Sequence, residues 1–106
     1  MERAQFVKVA TAALERIEDG LVNLDHDTLD VDLAGDVLTL EFEDRVQFVI
    51  NAHSAATQVW MAANRNAWHF DYNAATETWV AAKTGDELMA TVCKYVGEKL
   101  GMSVSL

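Results

Sequence analysis

The sequence predicts an α+β fold, a two-layer α-β sandwich in which an antiparallel sheet of about six strands carries the N- and C-terminal helices on one face. Three observations lead there. Apolar residues recur at helical spacing near both ends of the chain, whereas between them they alternate at a period of two. The alternating runs are short and are separated by polar or Asn-bearing turns, as a meander of strands requires. With 106 residues and 51 % hydrophobic content, the chain is large enough to bury one core and too apolar for a disordered acidic tail, so residues 1–106 are expected to form a single domain.

In chain order, Phe6, Ala10, Ala13, Leu14, Ile17 and Leu21 share one stripe, so residues 3 to 19 read as an amphipathic helix stopped by Gly20. Leu29, Val31 and Leu33 then alternate with Asp30 and Asp32. After "AGD", Leu38, Leu40 and Phe42 alternate with Val37, Thr39, Glu41 and Glu43, which completes a hairpin pattern. Residues 46 to 51, 58 to 63, 67 to 72 and 78 to 81 supply four further short strands. The closing helix begins at "TGDE", where Thr84 and Glu87 have capping-box spacing, and runs through Leu88, Met89, Val92, Val96 and Leu100 to Gly101. The final "SVSL" reads as a short strand or a tail.

Charge is distributed unevenly. The chain carries a net −9, yet residues 15 to 44 hold 11 acids against the single base Arg16, and the remainder is close to neutral. Glu15, Glu18 and Asp19 lie opposite the apolar stripe of the first helix, at the end where the macrodipole disfavours acids. Glu15 repels Glu18 and Asp19 at i,i+3 and i,i+4, at a cost of about 0.2–0.5 kcal/mol each. Asp30 and Asp32 point to one side of their strand, about 6.6 Å apart at a rise of about 3.3 Å per residue. Their repulsion is on the order of 0.6 kcal/mol in water. Asp25 and Asp27 flank His26 in the preceding loop. Local stability does not select such a pattern, and a cation or a basic protein surface would relieve it.

Several chemistries are excluded by spacing. An EF-hand loop starting at Asp25 would need Gly at position 30 and Asp or Asn at position 29, where the chain has Asp30 and Leu29. His26, His53 and His69 have no zinc-site spacing, and Cys93 has no cysteine partner. No phosphate-binding glycine loop, nucleophile elbow or Glu-x-x-His di-iron motif is present, so no catalytic machinery is expected beyond weak oxidation of bound iron. A carboxylate cluster without soft ligands suits hard cations, bound through oxygen at weak, plural, exchangeable sites, with His26 as an auxiliary ligand. No apolar run reaches membrane-spanning length, no signal peptide is evident, and a lone cysteine agrees with a reducing compartment. The expectation is a cytoplasmic protein. On the strand "QVWMAA", Val59 and Met61 face the core, which leaves Gln58, Trp60 and Ala62 on the uncovered sheet face. There Trp60 either docks a partner or shields neighbours such as Val49. Trp68 and Trp79 are packing elements.

The succession "VLTLEF", "VIN", "QVWMAA", "WHFDY", "TWV" and "TGDEL", with the acidic helix end "IEDGL", resembles the frataxin family in its bacterial branch over essentially the whole chain. The resemblance implies an iron-binding acidic ridge on the first helix and first strand. By position it comprises Glu18, Asp19, Asp25, Asp27, Asp30 and Asp32, and the residue reading adds Glu15 and His26. It also implies a role in iron–sulfur cluster assembly through contact with a cysteine desulfurase and a scaffold protein, with Asn51, Gln58 and Trp60 on the family's exposed sheet surface. Val22 and Asn23 stand where bacterial relatives often carry two more acids. The expected function is an iron-dependent regulator of the desulfurase and scaffold complex, or an iron donor to it. Weakly bound ferrous or ferric iron is the ligand, and the metal-free state is a monomer. The alternatives are a metal-independent acidic inhibitor docking on a basic enzyme and, less favoured, a nucleic-acid mimic; direct nucleic-acid or membrane binding is not expected.

Overall fold

A computed structural model describes residues 1–106. Helix α1 (Arg3–Val22) leads into six strands, β1 (Asp30–Ala34), β2 (Val37–Glu41), β3 (Gln47–His53), β4 (Gln58–Ala63), β5 (Asn66–Asn73) and β6 (Thr78–Ala81), and helix α2 (Leu88–Leu100) follows. The strands form one sheet in sequence order, every neighbouring pair antiparallel. Short hairpins allow this order. The β4–β5 turn has only Asn64 and Arg65 between its strands, both at positive φ, the geometry that matches the twist of the flanking strands.

Period two places one face of the sheet against the helices. Leu38, Leu40, Phe48, Ile50, Val59, Met61, Trp68, Phe70 and Trp79 are buried from the strands, and they meet Phe6, Leu14, Ile17 and Leu21 of α1 and Leu88, Val92 and Val96 of α2. Trp79 packs edge-on against Phe6, and Trp68 edge-on against Tyr95. Both tryptophans are packing elements, as the sequence predicts. Val31 and Leu33 of β1 pack only partly against this core, because β1 is an edge strand.

Three local expectations need correction. Gly20 does not stop α1, which continues through it to Val22 and is capped by the Asn23 N–H bonding to the Asp19 and Leu21 carbonyls. No side chain is needed at Gly20 because Leu106 fills the space where a Cβ would sit. Nor do Thr84 and Glu87 form a capping box. Glu87 is itself the N-cap of α2, its carboxylate accepting from the Met89 and Ala90 N–H groups at 2.8 and 3.1 Å, while the Thr84 hydroxyl accepts from the Asp86 N–H. Finally, β3 runs two residues beyond its expected end and therefore carries His53. The last residues form a tail without strand pairing, tied down by the Arg16 guanidinium, which donates to the Leu106 carbonyl at 2.6 Å.

Candidate functional site

The acidic residues collect on one edge of the sandwich. The end of α1 packs beside the edge strand β1, with the loop holding Asp25, His26 and Asp27 joining them. Glu15, Asp19, Asp25, Asp27, Asp30 and Asp32 are exposed and Glu18 is half-buried. None is paired with a base, since the one ion pair in the structure joins Lys99 to Asp44. Arg16, the only base in the segment, is turned to the C-terminal tail. The register adds a repulsion that strand spacing alone does not reveal, because Asp30 lies directly across from Glu41 on β2. Asp27, Asp30, Glu41 and Glu43, together with Arg45, line an open hollow of ≈ 450 Å³ at this end of the edge.

These carboxylates do not converge. No three side chains of His, Cys, Asp or Glu come close enough to hold one ion among them. His26 is engaged locally: its Nδ1 accepts from the Thr28 N–H at 3.3 Å and lies 3.0 Å from the Thr28 hydroxyl. The edge is thus a row of separate carboxylates open to water, which attracts cations by its field and leaves most of their coordination to solvent.

The second candidate surface is the sheet face opposite the helices. Asn51, Gln58 and Trp60 all lie there, half-buried, and Asn51 and Trp60 are register partners on β3 and β4. Trp60 packs against two side chains of its own face. Its indole is stacked between two imidazoles, His53 on one side (3.9 Å between centroids, 16° between planes) and His69 on the other (4.2 Å, 13°). The indole N–H donates to Gln58 Oε1 at 2.8 Å, and the Gln58 amide donates to Asp71 at 2.9 Å. His53, His69 and Asp71 are the residues that sequence reasoning missed. The missed signal was a His on each strand flanking the Trp, visible only once the register of three strands is known. His53 Nδ1 also accepts from the Ala56 N–H, which anchors that ring from below.

Cys93 is half-buried on α2. Burial pushes its thiol above the ordinary value, with the Leu106 backbone acting the other way. No helix is long and apolar enough to cross a membrane.

Fold and surfaces together define a two-layer α-β sandwich of the frataxin type, with its negative charge on the α1–β1 edge and an aromatic stack on the open sheet face. The chain belongs to the frataxin-like family, whose domain model matches residues 1–102. It is 35 % identical over 107 residues to the iron–sulfur cluster assembly protein CyaY of Dechloromonas aromatica, covering 100 % of this chain and 99 % of that protein. To the protein of the same name from Cupriavidus taiwanensis it is 33 % identical over 109 residues, covering 99 % and 96 %. Among solved structures, frataxin from Psychromonas ingrahamii superposes with a TM-score of 0.90 at 30 % identity, over 99 % of this chain and 97 % of that one. Trimeric yeast frataxin complexed with ferrous iron superposes at 0.77 and 26 % identity, over 88 % and 86 %.

Proposed function

We propose that this protein is an iron-binding accessory of iron–sulfur cluster assembly, acting without catalytic turnover of its own on a cysteine desulfurase and a scaffold protein. Relatives that align over nearly their full length carry the cluster-assembly name, and a structural neighbour is described as complexed with ferrous iron. The observation that carries the reading is the concentration of carboxylates along the α1–β1 edge, none of them paired with a base. Glu15, Glu18, Asp19, Asp25, Asp27, Asp30 and Asp32 are proposed to take ferrous or ferric iron as cargo, with His26 as an auxiliary ligand. Separate carboxylates hold a cation weakly and release it readily, which suits transfer or sensing better than storage. Asn51, Gln58 and Trp60 are proposed to dock the scaffold.

A second reading is favoured by one feature, the failure of any three ligands to converge. On that reading the edge works as a field that docks on a basic surface of the desulfurase, and iron is incidental. One experiment separates the two: desulfurase and cluster-assembly rates with purified partners, with and without this protein, across iron concentrations. Iron carriage or sensing predicts an effect that changes with iron and is lost in Asp30→Asn with Asp32→Asn, together with iron-perturbed amides confined to residues 15 to 44. An effect that is independent of iron but collapses at high salt would select the electrostatic inhibitor.

A further inference from the structure

None of the six strands carries a lysine or an arginine. Their charged residues are Asp30, Asp32, Glu41 and Asp71, all acids, so His53 and His69 are the only strand residues that can become positive. Both lie against one indole, on opposite faces of Trp60. An imidazole is the side chain whose charge ordinarily changes between about pH 5 and 8.

The two rings are held differently. His69 is exposed and is held by its stack on Trp60, with no hydrogen bond from the protein to its nitrogens. His53 is half-buried where β3 enters the β3–β4 turn, and its Nδ1 accepts from the Ala56 N–H at 3.3 Å, a donor it shares with the His53 carbonyl at 3.2 Å. Accepting requires a bare Nδ1, so the neutral ring carries its proton on Nε2. In the imidazolium both nitrogens carry hydrogens, and Nδ1 then opposes the Ala56 N–H instead of receiving it. Turning the ring over would put a C–H there, so the bond is lost either way. The ring itself stays, because a cation gains on an indole face. The turn is what yields. It already holds Thr57, a β-branched residue, at φ 51°, in the left-handed region that such residues adopt only at a cost.

The charged groups nearest the two rings are few. Asp71 shares the cross-strand row of His53 and Gln58 and stands two residues along β5 from His69. Asp36 lies in the β1–β2 turn, its carbonyl accepting from the Ala52 N–H at 2.9 Å, and Lys83 follows the end of β6. The helices cover the other face of the sheet and present no charge here.

We propose that His53 is a proton-operated latch on the β3–β4 turn: neutral, it holds residues 54–57 closed against β3, and protonated, it releases them while remaining stacked on Trp60. Mild acid thus opens the turn that leads into Gln58 and adds positive charge to a sheet face whose other charges are acids.

The test is an NMR titration of the full chain between about pH 8 and about pH 5. It follows the histidine ring signals, the amides of residues 54–57, and the exchange protection of the Ala56 amide relative to an unfolded chain at the same pH. In the wild type, Ala56 protection should fall roughly fivefold, as loss of one hydrogen bond implies, in step with the His53 ring signals. His53→Asn places an amide oxygen where Nδ1 stands and takes no proton, so the turn should stay closed throughout. His53→Phe keeps a ring on Trp60 but accepts nothing, so the turn should be open already at neutral pH. His69→Phe should leave the Ala56 response as it is in the wild type. The latch would be overturned by a wild-type Ala56 amide that ignores the His53 titration or follows that of His69. A response that persists in His53→Asn, or full protection of Ala56 in His53→Phe at neutral pH, would overturn it equally.

Discussion

At the scale of single residues, Asp44 shows how this protein treats an acid it does pair. The Lys99 ammonium donates to its carboxylate and the Val46 N–H adds a second bond at 3.1 Å, and both hold it below the ordinary value of 3.8. Because the folded value is depressed, the stabilisation is fully present above about pH 3.8 and is lost as pH falls through the lower folded value. Lys99→Met removes the largest cause. Urea midpoints for both proteins should therefore differ at neutral pH and converge in acid, and a gap that persisted undiminished at the acid end would show that Lys99 acts through packing on Phe42, over which it lies at 5.9 Å. Trp60 marks the limit of reading residues from sequence. Its exposure follows from period two, but its two imidazole neighbours sit on different strands. Only pairing, Trp60 with His69 directly and His53 two residues along β3 from its partner Asn51, brings them together.

At the scale of elements, the strands were legible because alternation is a local property. Helix ends were less so. Gly20 is a helix-breaker by propensity, yet it sits inside α1, and the reason lies 86 positions along the chain, where Leu106 occupies its missing side chain. Gly97 in α2 has a similar role against the turn that follows, with the Met102 carbonyl 2.7 Å from where a Cβ would be and the Met102 N–H bonded to the Gly97 carbonyl at 3.1 Å. The two glycines should respond differently to alanine. At Gly97 the obstacle is backbone, so Gly97→Ala should cost about 1–3 kcal/mol of stability in denaturant titration. At Gly20 the obstacle is the end of a flexible leucine, and the gain in helix propensity, about 1 kcal/mol, offsets its displacement. Gly20→Ala should accordingly stay close to wild type, and equal losses at both sites would mean that the tail packs more rigidly on α1 than a movable Leu106 allows.

At the scale of the whole molecule, the α1–β1 edge is held folded against its own charge. The acids at the end of α1 oppose the macrodipole with no base in the last turn, Asp30 faces Glu41, and Asp30 and Asp32 share one side of β1. This imbalance was legible from composition alone, since it needs only a count of charges along the chain. The cross-strand pair was not, because it depends on the register of β1 on β2. Each repulsion is worth only a few tenths of a kcal/mol, but they share one region and none is relieved by an ion pair. Replacing Glu18, Asp19, Asp30 and Asp32 with Gln or Asn should therefore stabilise the fold by about 1 kcal/mol, raising Tm by about 4–8 °C at low salt. Sodium chloride should raise the wild-type Tm toward that of the variant by screening, and should affect the variant little. Divalent cations should stabilise the wild type at far lower concentration than monovalent salt, because a ligand selective for the folded state adds its binding free energy. Thermal melts of both proteins across salt and divalent concentration check all three. A variant that melts at or below wild type in low salt would show that these carboxylates are supported by the fold, and the case for a cation as the missing counter-charge would then fall with the strain that motivates it.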